Sequence, residues 1–209
     1  MERKKKAGLF FGLFFSILMF TGCSKEEVYV PVTTNTVEVT ESGRVVGYMV
    51  ESFDKEYYDI KELEAMVRTE IEEYNAEKNM LAGNSGTPII VDKVMMAEDG
   101  SANVVVALSF LNGAIYTDYM GKELFYGTVQ EAVAAGYALD KKLAEVKNGE
   151  VFTGQKLEKN GEKKILILED TVNVRTNGKV QYLSTNAQLT KDGFVDCTVN
   201  EELKYIIIK

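Results

Sequence analysis

The sequence predicts an α+β fold: an antiparallel sheet, one long amphipathic helix, one or two short helices and a β-rich C-terminal third. Three observations carry this expectation. Ile60, Leu63, Val67, Ile71 and Tyr74 recur at helical spacing among acids and bases, the mark of a helix with one apolar face. Alternating apolar runs flank Glu41-Ser42-Gly43 and again Glu98-Asp99-Gly100-Ser101, the pattern of two hairpins. After Val151 the chain falls into short β runs punctuated by Asn177-Gly178 and Asp192-Gly193, dipeptides that suit tight hairpin turns.

Taken from the N-terminus, a basic head (Arg3, Lys4, Lys5, Lys6) precedes fourteen uncharged, mostly apolar residues from Ala7 to Phe20. A spanning helix needs roughly 20 apolar residues, whereas about 10–14 suit the core of a signal peptide. Positive charge ahead of the run holds the N-terminus on the cytoplasmic side. Small residues then leave the backbone open to a peptidase. The competing readings are an N-terminal membrane helix and a buried helix with a core cysteine; the shortness of the run argues against both.

Phe20-Thr21-Gly22-Cys23 resembles the lipobox of bacterial lipoprotein signal peptides, with Phe20 standing where leucine is commonest. The resemblance implies that residues 1–22 are removed by cleavage between Gly22 and Cys23. It further implies that Cys23 becomes the first mature residue and the lipid attachment site. The protein would then be a membrane-anchored lipoprotein of the cell envelope, facing the extracytoplasmic side. Acyl chains anchor at about 0.8 kcal/mol per buried CH₂, so two chains hold stably where one is marginal.

Residues 23–36 read as the lipidated N-terminus and a tether, with the alternative that Val28, Val30 and Val32 begin a first strand. Extended, residues 24–36 reach at most about 45 Å. An α+β domain is expected over 37–149 and a β-hairpin subdomain over 150–209, free to pack with it as one unit. Within the first, a hairpin leads to a helix from about 60 to 78, where Asp59 and Glu62 can form a capping box. Gly83-Asn84-Ser85-Gly86-Thr87-Pro88 breaks the chain; no Lys-Ser/Thr follows its glycines, so it reads as a turn and not a phosphate loop. Thr128-Val129-Gln130-Glu131 is a second capping box, opening a short helix that Gly136 can close. Residues 137–150 are polar and read as helix or loop.

Composition narrows function. The 209 residues carry a net charge of −8; without residues 1–22 the remaining 20 basic and 31 acidic residues give −11. Nucleic acid is a poor partner for such a chain, since binding it starts from a basic patch. Histidine is absent, which removes the commonest general base and any imidazole zinc site. With Cys23 lipidated, Cys197 has no partner in the chain, and in the run Phe194 to Asn200 it alternates with Val195 and Val199 onto one expected strand face. Cys197 is therefore expected in the core. No pattern points to a cofactor or a metal; Asp99 and Asn103 lack the ligand series of a calcium loop.

Tyr116, Tyr119, Phe125, Tyr126 and Tyr137 gather within some twenty residues. They read either as a stacking platform for a sugar or peptide or as rings sealing the core among Ile115, Met120 and Leu124. Tyr57 and Tyr58 precede the long helix and are expected to be partly exposed. The binding candidates are thus Tyr57, Tyr58, Tyr116, Tyr119 and Tyr126. Glu62, Glu64, Glu70, Glu72, Glu73 and Glu77 read as a solvated helical face, and no catalytic pair is nominated. Over five residues, Thr171 to Arg175 resembles the V-N-V-R opening of bacterial SH3-like wall-binding modules, without the Gly-Pro that should follow.

Across most of the mature chain, the stretch 53–58, the acidic helix that follows it and the stretches 124–132 and 178–184 resemble a group of small lipoproteins of Gram-positive anaerobes. That resemblance implies an envelope location and lends no activity. The leading expectation is a lipid-anchored, non-catalytic module that binds an unknown envelope ligand or protein. Two alternatives stay open: a histidine-free envelope enzyme acting on glycan or peptidoglycan through carboxylates, and a structural subunit or spacer of an envelope complex.

Overall fold

The computed structural model describes residues 32–82 and 86–209; Gly22, Cys23 and the tether as far as residue 31 lie outside them. The fold is mixed α+β, as the sequence predicts. Strands β1 (Thr36–Val39) and β2 (Val45–Ser52) pair antiparallel around the expected turn, where Gly43 takes φ 83°. Helix α1 runs Ile60–Ala82, four residues beyond the expected end near 78. Asp59 Oδ1 accepts from the Lys61 N–H at 2.7 Å and so caps its first turn. Strands β3 (Ile89–Met96) and β4 (Asn103–Phe110) form the second expected hairpin.

Two short helices flank strand β5 (Leu124–Thr128). Helix α2 (Gly113–Met120) starts where the Asn112 side chain accepts from the Ile115 N–H and ends at Gly121, φ 67°. Helix α3 (Val129–Ala134) begins with the predicted capping box, Thr128 and Glu131 bonding each other's backbone N–H. It ends with Gly136 N–H on the Val133 carbonyl and Tyr137 N–H on the Ala132 carbonyl, the paired bonds of a Schellman motif. Residues 137–150 are neither helix nor plain loop: Lys142–Glu145 forms β6, which pairs with β7 (Val151–Thr153). The expected segment boundary at 149/150 therefore falls inside the turn of a hairpin. A 3₁₀ turn (Gly154–Asn160) follows, then β8 (Lys164–Leu168), β9 (Asn173–Thr176), β10 (Val180–Ser184), β11 (Gln188–Leu189), β12 (Val195–Asp196) and β13 (Lys204–Ile208).

These strands build a seven-stranded sheet, β11-β12-β9-β1-β2-β4-β3, and a six-stranded sheet, β5-β8-β13-β10-β6-β7. Strands from both sides of residue 150 stand in both sheets. One pairing is parallel: β1 lies beside β9, Thr36 opposite Asn173 through Val39 opposite Thr176. The Asn177-Gly178 turn does not close a hairpin. It carries the chain from β9 in one sheet to β10 in the other, and Gly178 is needed there because a Cβ would stand 2.7 Å from Ile208 Cγ2. Asp192-Gly193 does close the β11–β12 hairpin.

Strands β8 and β13 read Ile165-Leu166-Ile167-Leu168 and Ile206-Ile207-Ile208, with no polar alternation, because they are buried on both faces. Leu166, Leu168, Ile206 and Ile208 join Val37, Val45, Leu108 and Phe110 in the core that the two sheets share. Ile165, Ile167 and Ile207 face the other way, into a second core with Val129 and Ala132 of α3 and Leu157 of the 3₁₀ turn. Val67, Ile71 and Tyr74 of α1 pack against the first core, as their spacing predicts. The Asn75 amide then clamps the end of edge strand β3, donating to the Ile89 carbonyl and accepting from the Ile89 N–H.

Cys197 is fully buried, as expected, and burial pushes its thiol pKa up to about 12. Val199 does not share that face. Strand β12 ends at Asp196, so the alternation stops and Val199 stands 70% exposed.

Candidate functional site

The tyrosines of the central cluster divide by depth. Tyr116 is a core ring, 1% exposed, edge-on to Phe110, with its hydroxyl donating to Asp170 Oδ2 at 2.6 Å. It presents no face to a ligand. Tyr119 is half-buried between α2 and α1 and donates to Glu70 Oε1 at 2.7 Å. Tyr74 on α1 returns the link, donating to Asp118 Oδ2 at 2.6 Å, where Lys78 also pairs at 2.7 Å. These contacts fasten α1 to α2. Burial, followed by the hydrogen bond to the carboxylate, raises the pKa of Tyr74 and Tyr119 above the ordinary tyrosine value. The Lys78 ammonium and the Tyr74 hydroxyl hold Asp118 below the usual carboxylate range.

Tyr126 is the candidate that faces a hollow. It lines a concavity of about 560 Å³ with Phe125, Tyr137, Leu124, Asn112, Thr117, Asp118 and Glu123. Side chains of consecutive strand residues point to opposite faces of a sheet. A single hollow touched by both Phe125 and Tyr126 therefore lies along the strand's edge. The topology agrees, since β5 ends the order of its sheet. A second hollow of about 510 Å³ shares Glu123, Phe125 and Tyr137 and extends past Asp140, Lys141 and Tyr205. The Tyr137 hydroxyl donates to Glu123 Oε1 at 2.6 Å, making a shared wall between the two. Burial and this bond keep Tyr137 protonated well above its ordinary range.

Tyr57 and Tyr58 lie apart from this groove, in the link between β2 and α1. Tyr57 is 77% exposed and meets Tyr58 edge-on, and Tyr58 stacks on Phe53 with centroids 4.8 Å apart. Of the five binding candidates, then, Tyr126 lines the groove, Tyr57 and Tyr58 form a separate exposed stack, Tyr119 is a fastening and Tyr116 is core.

Phe125 and Tyr137 belong to the ring cluster that the sequence offers as a stacking platform but not to the five binding candidates, and Lys204 is not singled out by the sequence reading at all. Lys204 is completely buried; its ammonium donates to the carbonyls of Glu169 (3.0 Å), Asp170 (3.1 Å) and Asn200. Burial holds its pKa below the ordinary lysine value. The signal was present: Lys204 has the parity of Ile206 and Ile208, so alternation alone sends it inward. Its three carbonyls tie the 197–203 loop to the end of β8, a structural duty beside the buried Tyr116–Asp170 bond.

Chemically, the groove offers aromatic faces, backbone edge groups and carboxylates. Asp118 and Glu123 each accept from a tyrosine hydroxyl, and Asp118 is also paired with Lys78. Among the described residues, no group of three or more His, Cys, Asp and Glu could hold a metal ion. No helix among them is long and apolar enough to cross a membrane. No protein family, curated protein or solved structure matches the chain.

Proposed function

We propose that the mature chain is a lipid-anchored extracytoplasmic binding module of the cell envelope, held to the membrane through Cys23 and taking its ligand in the groove along β5. The basic head, the short apolar run and the Phe20–Cys23 stretch support the anchor. The groove supports binding over hydrolysis. It is open and lined by three aromatic rings, and each of its two carboxylates accepts from a tyrosine hydroxyl. Its volume falls within the roughly 300–1,000 Å³ of ordinary ligand sites. The Tyr57–Tyr58 stack is a second surface for protein contact.

Two measurements test this reading. Cells fed an alkyne fatty acid should label the wild type, and Cys23→Ser should lose both label and cleavage; a labelled Cys23→Ser protein sinks the anchor. Full-length protein should co-sediment with insoluble envelope material, and the paired change Tyr126→Ala with Tyr137→Ala should release it. Equal sedimentation of that variant removes the groove from the reading.

A further inference from the structure

We propose that the groove takes an extended peptide by strand addition to β5 at Tyr126, with a cationic side chain of that peptide set against Glu123; this rests on the binding reading above. The backbone decides which groups of β5 are open. Glu169 N–H donates to the Glu123 carbonyl and Val129 N–H to the Lys163 carbonyl, both at 2.9 Å. With Phe125 opposite Ile167 and Gly127 opposite Ile165, these bonds fix the antiparallel phase. Phe125 and Gly127 turn their N–H and C=O toward β8, whereas Leu124, Tyr126 and Thr128 turn theirs outward.

Two of the three outward positions are closed from within the fold. The Leu124 N–H donates to Thr117 Oγ1 at 2.9 Å, and Gly113 of α2 lies so near that a Cβ there would stand 2.5 Å from the Leu124 carbonyl oxygen. At the other end, the Thr128 N–H donates to Glu131 Oε2 at 2.6 Å. Among the described residues, Tyr126 alone of the three is left with an outward N–H and C=O, and it opens onto the 560 Å³ hollow. An unpaired strand edge is a template for an incoming strand, and peptide recognition by strand addition uses such an edge. A single open residue suits a short peptide, since one antiparallel residue meets both groups.

Charge names the kind of peptide. The charged residues lining this hollow are Asp118 and Glu123, with no lysine or arginine among the lining. Asp118 is already met by Lys78. Glu123 is exposed and, among the described residues, accepts only the neutral Tyr137 hydroxyl on Oε1, so its charge is the one open to a partner. Lys164 stands 5.7 Å from the Tyr126 ring centroid.

The test is an amide titration of isotope-labelled full-length protein in detergent micelles. The probes are a blocked tetrapeptide alternating valine and lysine, its two analogues N-methylated at alternate residues, and chitotriose as a neutral glycan. Strand addition has a parity: one analogue loses the bonded N–H and the other only an outward one. The parent peptide should shift the Tyr126 amide. One analogue alone should bind roughly threefold to tenfold more weakly, the worth of one hydrogen bond, and Glu123→Gln should weaken the parent. Equal binding by both analogues, or groove shifts with chitotriose alone, overturns strand addition while leaving the groove as a binding site. Absence of groove shifts with every probe overturns both.

Discussion

Replacing Tyr116 with phenylalanine removes one oxygen and leaves the ring on Phe110 in place. The oxygen matters because Tyr116 is 1% exposed and its hydroxyl donates to Asp170 Oδ2 at 2.6 Å. A hydrogen bond to a charged group contributes about 1.5–3 kcal/mol. For a chain of this size that loss lowers the melting temperature by roughly 3–12 °C. High pH gives a second readout. Burial, and after it the Asp170 charge and hydrogen bond, raise the Tyr116 pKa in the folded protein above the unfolded value, which is about 10. Above that pH the unfolded chain releases a proton that the folded chain retains, so stability falls as pH rises. Stabilisation from Tyr116 is thus fully present below pH about 10 and lost above it. Tyr116→Phe should show lower stability at neutral pH and a shallower decline at alkaline pH, with the remainder of the decline coming from Cys197 and the other tyrosines held above their ordinary value, among them Tyr74, Tyr119, Tyr126, Tyr137 and Tyr205. Urea unfolding followed by circular dichroism, repeated across alkaline pH, measures both. A variant within about 0.5 kcal/mol of wild type, with an unchanged alkaline slope, would refute the argument.

Gly178→Ala should destabilise by more than Gly100→Ala. Both glycines have positive φ (147° and 79°), but a Cβ at Gly178 meets Ile208 and the Lys209 carbonyl, whereas one at Gly100 meets nothing within 4 Å. Strain alone costs about 1–3 kcal/mol, so equal melting temperatures for the two variants would show that the close approach to β13 is not formed. Cys197 should resist thiol reagents at mildly alkaline pH in the native protein and react fully in urea, because its thiolate is disfavoured by burial until about pH 12. Stoichiometric labelling of the native state by such a reagent would contradict the buried assignment.

Much of the local structure was legible in the sequence. The apolar spacing of α1, the Thr128–Glu131 capping box, the Gly136 ending and the turns at 41–43 and 98–101 rest on interactions within a few residues, which any reader of the chain can count. The site was legible only in part. Tyr126 was nominated, but so was Tyr116, four residues away from Met120 in the same aromatic run. Nothing in a run of rings tells which one turns inward, because that depends on the partner across the core. Asp170, which accepts from Tyr116, lies 54 residues along the chain.

Asn177-Gly178 shows the limit most sharply. Its composition suits a tight turn, and the chain does bend there, yet no hydrogen-bonded hairpin turn forms among the described residues and the strands it joins belong to different sheets. Turn chemistry governs backbone angles and says nothing of what the flanking strands pair with. The same holds for β1 and β9, parallel neighbours whose Arg175 and Glu38 side chains meet at 3.1 Å. The sequence by itself determined the α+β class, the acidic character, the absence of histidine chemistry and the positions of α1, α3 and the hairpin turns at 41–43, 98–101 and 192–193, because each is written in composition or in short-range periodicity; α2 and its Asn112 cap were not among them. The tertiary structure alone decided sheet membership, the carbonyls that receive Lys204 and the open edge at Tyr126. Those follow from long-range pairing, where the same alternating strand can take any of several neighbours, and only closure of both cores selects one.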